Sequence, residues 1–258
     1  MEDGYITEDG RKIGGVVMEM KNITLRFGGV VAIKDISFDI REGEIRAIIG
    51  PNGAGKSSML NVISGFYVPQ EGEVLFRGKP RPQMRPYEVA RQGIARTFQN
   101  IALFDGMSVL DNVMTGRLNF MKTNIFQQAI WRGKAEAEET ENREAVERII
   151  DFLEIQAIRK TPVARLPYGL KKRVELARAL AAGPRLVLAD EPTANLDSEN
   201  ATALLDIMHR LSHEEQTTFI FSTHDPRVME RAERIITLRD GRIIRDQDAT
   251  PQHHAAPA

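Results

Sequence analysis

The chain has 258 residues, with 35 Lys plus Arg against 36 Asp plus Glu, and no cysteine. That length can bury a full hydrophobic core, and the lack of cysteine excludes disulfides, thiolate metal sites and cysteine nucleophiles. The balanced charge argues against a protein that coats nucleic acid. No apolar run approaches the roughly 20 residues that cross a bilayer, so a membrane role is expected to be peripheral.

Met1 to Gly15 is polar, contains glycine and has no sustained period, so residues 1–15 are expected to form a loose arm. Its acidic opening lacks the basic-then-apolar order of a signal peptide. Val17–Leu25 and Ile36–Ile40 read as strands on either side of Phe27-Gly28-Gly29, and Ile45–Ile49 as a short buried strand ending at a glycine. Val74–Phe76 and Ile94–Phe98 are further strands, separated by Pro80, Pro82 and Pro86. From Ser108 to about Arg165 the pattern is helical. Val146, Ile149, Ile150 and Leu153 fall at i, i+3, i+4 and i+7, and the Glu, Arg and Lys of the other face are expected to be solvated.

After Gly183 strands and helices alternate again. Leu186–Ala189 and Thr218–Ser222 are buried strands, with a helix striped by Leu204, Leu205, Met208 and Leu211 between them. Ile235–Leu238 and Arg242–Ile244 form a hairpin about the turn Asp240-Gly241. The tail, 246–258, is rich in Ala, Pro and His and is expected to be disordered, with His253 and His254 inert. The fold class is therefore α/β: one domain over 16–245, interrupted by a helical insertion at about 105–182.

Gly50-Pro51-Asn52-Gly53-Ala54-Gly55-Lys56-Ser57 fits the phosphate-loop pattern G-x-x-x-x-G-K-[ST]. A strand feeds it, and an apolar helix with Met59, Leu60, Val62 and Ile63 follows. Glycines let backbone N–H groups curl round phosphate oxygens, and the helix aims its positive end at the same anion. Lys56 is expected to reach the β and γ phosphates and the Ser57 hydroxyl to ligate Mg²⁺, with Ser58 in the same phosphate-binding set. The expectation is a nucleoside triphosphate site.

A second acidic pair, Asp190-Glu191, ends the strand Leu186–Ala189. Asp190 is placed to hold Mg²⁺ through water, and Glu191, one residue on, to polarise the attacking water. Phosphoryl transfer asks mainly for charge neutralisation and aligned water, which this pair can supply.

The phosphate loop, Gln99, the Gly169-containing segment before a basic helix, Asp190-Glu191, Asn195-Leu196-Asp197 and Thr223-His224-Asp225 occur in this order. Together they resemble ATP-binding-cassette ATPases, over roughly Val16 to Arg245. The resemblance implies a P-loop NTPase core with an N-terminal antiparallel β subdomain and a helical insertion. It implies ATP and Mg²⁺ as cofactors, and a head-to-tail dimer that closes ATP between one phosphate loop and the partner's signature segment. By the same resemblance, Phe27 stacks on adenine, and Gln99 senses Mg²⁺ and water and couples to the membrane subunit. His224 contacts the γ-phosphate, and Asp197 communicates across the dimer. The implied partners are transmembrane permease subunits at the cytoplasmic face of the membrane, a second ATPase subunit and, for an importer, a periplasmic binding protein; nucleic acid is not among them.

The family signature is usually Leu-Ser-Gly-Gly-Gln, whereas here it is Leu166-Pro167-Tyr168-Gly169-Leu170. Pro167 lacks a hydroxyl and an N–H, both donors toward the phosphate across the dimer, so an asymmetric heterodimer with an intact second signature is expected. Arg26–Gly29, Ala95–Asn100, Leu103-Phe104, Leu166–Leu170 and Arg173-Val174-Glu175 resemble the ATPases of branched-chain amino-acid importers. Ala189, Thr193–Ser198 and Ser222–Asp225 resemble those of lipoprotein-releasing and macrolide-export transporters, with the change near Gly183–Ala189. Because the permease docks on the earlier portion in this family, the transport partner is expected to follow the importer. An exporter ATPase, a soluble ATP-dependent regulator and a non-hydrolysing sensor are the alternatives. Met107, Val109, Leu110 and Val113 are candidate docking or core residues, most of them core.

Overall fold

A computed structural model of the chain describes residues 4–7, 10–81, 84–97, 101–120 and 134–248. The strands are β1 (Tyr5–Ile6), β2 (Lys12–Ile13), β3 (Val16–Phe27), β4 (Val30–Arg41), β5 (Ile45–Ile49), β6 (Glu71–Phe76), β7 (Lys79–Pro80) and β8 (Ile94–Thr97), then β9 (Leu186–Asp190), β10 (Thr218–Thr223), β11 (Arg234–Arg239) and β12 (Arg242–Asp248). The helices are α1 (Lys56–Ile63), α2 (Pro86–Arg91), α3 (Val109–Met114), α4 (Lys134–Phe152), α5 (Tyr168–Ala181), α6 (Ser198–Glu214) and α7 (Pro226–Met229).

A six-stranded sheet in the order β12-β11-β5-β10-β9-β8 forms the centre. It is parallel from β11 to β8, with β12 antiparallel at the edge. Its central strands β5, β9 and β10 are buried on both faces, which is why they read as nearly continuous apolar runs. The two-residue period still sorts their side chains. Ala47, Val187, Ala189, Phe219 and Phe221 enter one cluster with Val109, Val113, Val146, Ile150, Leu153, Val174 and the α6 stripe. Ile48, Leu186, Leu188, Ile220 and Ile236 enter the other, with α1 and the four-stranded antiparallel sheet β4-β3-β6-β7. One sheet thus carries the helical part on one face and the antiparallel part on the other.

The helical stretch closes on small and apolar contacts. A Cβ on Gly116 would lie 2.3 Å from the Arg178 carbonyl oxygen, so the chain after α3 touches the α5 backbone. Val109 and Val113 are core, Leu110 packs against it and Met107 stays 41% exposed. The buried Asn112 accepts a hydrogen bond from the Phe104 N–H at 2.8 Å and donates to the Phe104 carbonyl at 3.0 Å, which pins the segment after β8 to α3.

Two ends of the chain depart from expectation. Residues 10–15 are not loose: Ile13 is fully buried, the Gly14 N–H donates to the Glu42 carbonyl, and Arg11 pairs with Glu233 at 2.5 Å and donates to Ser212 at 2.8 Å. Three specific anchors offset the poor local propensity that suggested an arm. At the other end the hairpin strand continues to Asp248 rather than stopping at Ile244, because backbone pairing reaches Arg234↔Asp248. Residues 1–3 and 249–258, with His253 and His254, lie outside the described residues.

Charge joins the two sheets. Arg46, fully buried in β5, donates from Nη2 to both Asp246 carboxylate oxygens at 2.7 and 2.6 Å and lies 3.7–3.8 Å from Asp39 and Glu44. Arg234 reaches Asp39 of β4 at 2.7 Å and Glu44 at 3.4 Å. Burial pushes Glu44 upward, against the pull of Arg46 and Arg234. Removing one partner of a buried pair leaves a charge stranded in a low dielectric. Arg46→Met is therefore expected to cost about 3–5 kcal/mol in urea unfolding; a loss near zero would show that Arg46 does not hold the sheets together.

Candidate functional site

The C-terminal ends of β5, β9 and β10 are level, since Ser222 pairs with Asp190 and Thr223 with Ile49. Open parallel sheets bind ligands at this edge. Gly50–Gly55 leaves β5 there and turns into α1. Its glycines have steric reasons: at Gly50 (φ 150°) a Cβ would meet the Leu238 carbonyl oxygen at 2.3 Å, and at Gly55 (φ 102°) the Ala32 carbonyl oxygen at 2.7 Å. The loop is also tied by a backbone chain. The Gly241 N–H donates to Ala54 (3.1 Å), and the Lys34 N–H donates to Gly241 (2.7 Å). The turn Asp240-Gly241, both residues at positive φ, thereby clamps the loop to β4 of the antiparallel sheet.

Lys56 is 7% exposed, and its Nζ donates to the carbonyl oxygens of Gly50 (2.8 Å) and Pro51 (3.2 Å). Among the described residues no carboxylate pairs with it. A nearly buried ammonium held only by neutral acceptors is costly unless an anion joins it. The N-cap of α1, Gly55, offers no side-chain cap, so the first N–H groups of that helix are available to the same anion. The Ser57 hydroxyl donates to Asp190 Oδ1 at 3.3 Å, bringing a hydroxyl and a carboxylate together 133 residues apart in sequence. These residues fit a polyphosphate and a hard divalent cation.

Glu191 follows with φ 47°, a left-handed conformation that costs a non-glycine residue of order 1–3 kcal/mol. Its N–H donates to the Ser222 carbonyl at 2.8 Å, which holds the turn. Its carboxylate lies 3.0 Å from His224 Nδ1 through Oε1 and accepts from the Thr223 hydroxyl at 3.4 Å through Oε2. Glu191 is 13% exposed and His224 76%, so the pair runs from the sheet edge into solvent. Thr193 donates to Asp225 at 2.7 Å, and Arg227 forks onto the same carboxylate. Burial raises Asp225, but the hydrogen bonds from Arg227 and Thr193 outweigh it and hold its carboxyl at about 2.

The other sequence candidates lie around this centre. Phe27 is 44% exposed, so it is not a core residue, and it meets Tyr67 edge-on with ring centroids 4.9 Å apart. Asp197 caps α6, accepting from the Asn200 N–H (2.8 Å) and the Asn200 side-chain amide (2.7 Å), and those bonds hold its carboxyl below the usual range. Helix α5 starts at Tyr168, with Pro167 as a cap that makes no side-chain bond. Leu166 is buried, Leu170 packs against the core, and a Cβ on Gly169 would lie 2.9 Å from the Asn200 side chain. Gln99 and its neighbours Phe98 and Asn100 lie outside the described residues.

Sequence reasoning gave Arg96 no chemical role. It sits at the end of β8 with Nη2 3.2 Å from Asp190 Oδ2 and Nη1 3.2 Å from the Ser64 hydroxyl, and it also bonds Asn61 of α1. One guanidinium thus links three elements of the site. The available signal was a single cation in the strand Ile94–Phe98; Tyr67 and Arg227 carry none, and Thr193 is marked only as part of the run Thr193–Ser198.

The ABC transporter family model matches residues 33–194. The high-affinity branched-chain amino acid transport ATP-binding protein BraF of Pseudomonas aeruginosa is 30% identical over 240 residues, covering 92% of this chain and 92% of that protein. Its likeness therefore runs through the Gly183–Ala189 region as well as before it. Among solved structures, a nucleotide-free ATP-binding cassette from an ABC transporter superposes with a TM-score of 0.79 at 29% identity, covering 92% of each chain. A dimeric post-hydrolysis cassette bound to ADP and Pi does so at 0.75 and 29%, covering 90% of this chain and 99% of that one. With the sheet-edge phosphate loop, the paired carboxylates and the family match over 33–194 all in one molecule, this chain belongs to the ATP-binding-cassette transporter family, among its ATPases.

Proposed function

We propose that this chain binds and hydrolyses Mg-ATP to drive a membrane transporter of the branched-chain amino-acid import type. The observation that carries the chemistry is the convergence of Lys56, Ser57, Asp190, Glu191 and His224 at the ends of three adjacent strands. The likeness to BraF over nearly the whole chain supports the importer.

In this reading the N–H groups from Gly53 to Ser58 and the Lys56 ammonium hold the β and γ phosphates, and Phe27 offers its exposed face to adenine. Ser57, Asp190 and Gln99 would hold Mg²⁺, which when bound neutralises phosphate charge. Glu191 orients the attacking water and takes its proton, while Thr223 and the His224 ring fix the carboxylate. His224, largely exposed beyond Glu191, is placed to meet the γ-phosphate.

The signature segment supports an asymmetric assembly. Pro167 lacks an N–H, and its cap position gives α5 no side-chain donor, so this chain offers its partner fewer donors to a phosphate. The partner is a second ATPase subunit with an intact signature. Both dock on transmembrane permease subunits at the cytoplasmic face, with a periplasmic binding protein delivering substrate. Among the described residues no helix is long and apolar enough to cross a membrane.

Mg-ATP at about 100 times its dissociation constant should stabilise the fold by about 2.7 kcal/mol, and Lys56→Ala should remove most of that shift in thermal melts. In the complex purified from detergent-solubilised membranes, Glu191→Gln should slow phosphate release about 10²- to 10⁴-fold while ATP still binds. Equal rates for the two proteins would refute hydrolysis at this site. The chain purified alone should turn over slowly and accelerate when the second subunit is added. A high, concentration-dependent rate from this chain alone would contradict the heterodimer. The same preparation should contain a transmembrane chain, and recovery of only ribosomal or DNA-repair partners would rule out the transporter.

A further inference from the structure

We infer that Thr193, Asp225 and Arg227 form a positioning unit that sets the geometry of Glu191 and His224 and ties it to the segment bearing Asp197. The inference rests on the roles proposed above for Glu191 and His224.

Thr193 lies two residues after Glu191, and Asp225 directly follows His224, so the 2.7 Å hydrogen bond from Thr193 to Asp225 Oδ2 joins the two turns that carry the reacting pair. A second strut runs beside it. The Asp225 N–H donates to the Thr223 hydroxyl at 3.0 Å, and that hydroxyl donates to Glu191 Oε2 at 3.4 Å. The Asp225 carboxylate is in turn fixed from outside by Arg227, whose backbone N–H and Nε donate to Oδ1 at 3.0 Å each and whose Nη2 donates to Oδ2 at 2.8 Å. Charge-assisted forks of this kind are about twice as strong as neutral hydrogen bonds and fix angle as well as distance.

Arg227 also points the other way. Its Nη1 donates to the carbonyl of Ser198, the residue after Asp197, at 3.5 Å. Arg231 donates to the Arg227 carbonyl at 3.1 Å and pairs with Asp206 at 2.7 Å, so α7 is fastened to α6 at two levels. Arg227 thereby bridges the segment bearing Asp197 and the turn holding His224.

Asp225 is also the cap of the four-residue α7. If capping were its whole role, Thr193→Val, which keeps the side-chain shape and leaves the cap intact, would not alter turnover. We therefore expect Thr193→Val and Arg227→Ala, measured in the purified transporter complex, each to lower kcat about 10- to 100-fold. KM and ATP affinity measured with a fluorescent ATP analogue should stay within about twofold of wild type, the pattern of a contact that matters only at the transition state. Arg227→Lys should recover part of the loss. The double variant should lose less than the product of the single losses, because both act through one carboxylate.

Unchanged kcat in Thr193→Val and Arg227→Ala, with Glu191→Gln inactive, overturns the positioning role and leaves the site intact. Wild-type turnover in Glu191→Gln removes the site reading and this inference together. Loss of ATP affinity in step with kcat marks a merely structural role and also overturns it. Should Arg227→Ala fail to fold, the near-isosteric Thr193→Val decides alone.

Discussion

The constraint on which the rest of the molecule turns is one buried ammonium. Lys56 is almost fully withdrawn from water yet, among the described residues, is bonded only to two backbone carbonyls, at Gly50 and Pro51. Carbonyl dipoles compensate a cation less well than a carboxylate or phosphate does, so the folded loop carries a standing preference for an anion. Everything near it serves to keep that geometry. The β5 strand brings the loop to the sheet edge, and α1 leaves with its first turn uncapped. The Leu238 and Ala32 carbonyls come so close that no side chain fits at Gly50 or Gly55.

The antiparallel sheet is not an accessory to this arrangement. Its strand β4 holds the loop through the chain Lys34–Gly241–Ala54, and the hairpin joining β3 and β4 carries Phe27 to the surface. The Arg46 and Arg234 cluster ties the same sheet to β5 and to the β11–β12 hairpin. Phe27 and the phosphate loop are thus fixed to one another by charge and by backbone hydrogen bonds. On the opposite side, the Asp190 and Glu191 carboxylates are held by groups from distant segments: Arg96 and Ser57 on Asp190, Thr223 and His224 on Glu191.

Much of this was legible in the sequence, and the reasons are specific. The strand Ile45–Ile49 is legible to the residue because four of its five side chains are apolar and it ends at a glycine where a Cβ would collide with backbone. The stripe Val146, Ile150 and Leu153 announced α4 because its period matches the helix, and those three side chains are fully buried. Asp190 and Glu191 stood out because two carboxylates at the end of an apolar strand need a reason. Arg96 and Arg227 did not stand out, since a charge earns its meaning from a partner 94 or 2 residues away and sequence spacing shows neither. The order of the opening residues is hidden for the same reason: Arg11 finds Glu233 and Ser212 only once the chain has folded.

The central claim is that the ammonium waits for phosphate. A crystal structure of the full chain with a non-hydrolysable ATP analogue tests it most directly. We expect Lys56 Nζ to leave the Gly50 and Pro51 carbonyls and to sit about 2.7–3.2 Å from a phosphate oxygen, with the phosphates against the first turn of α1. Nucleotide bound elsewhere, with Nζ still on those two carbonyls, would contradict it.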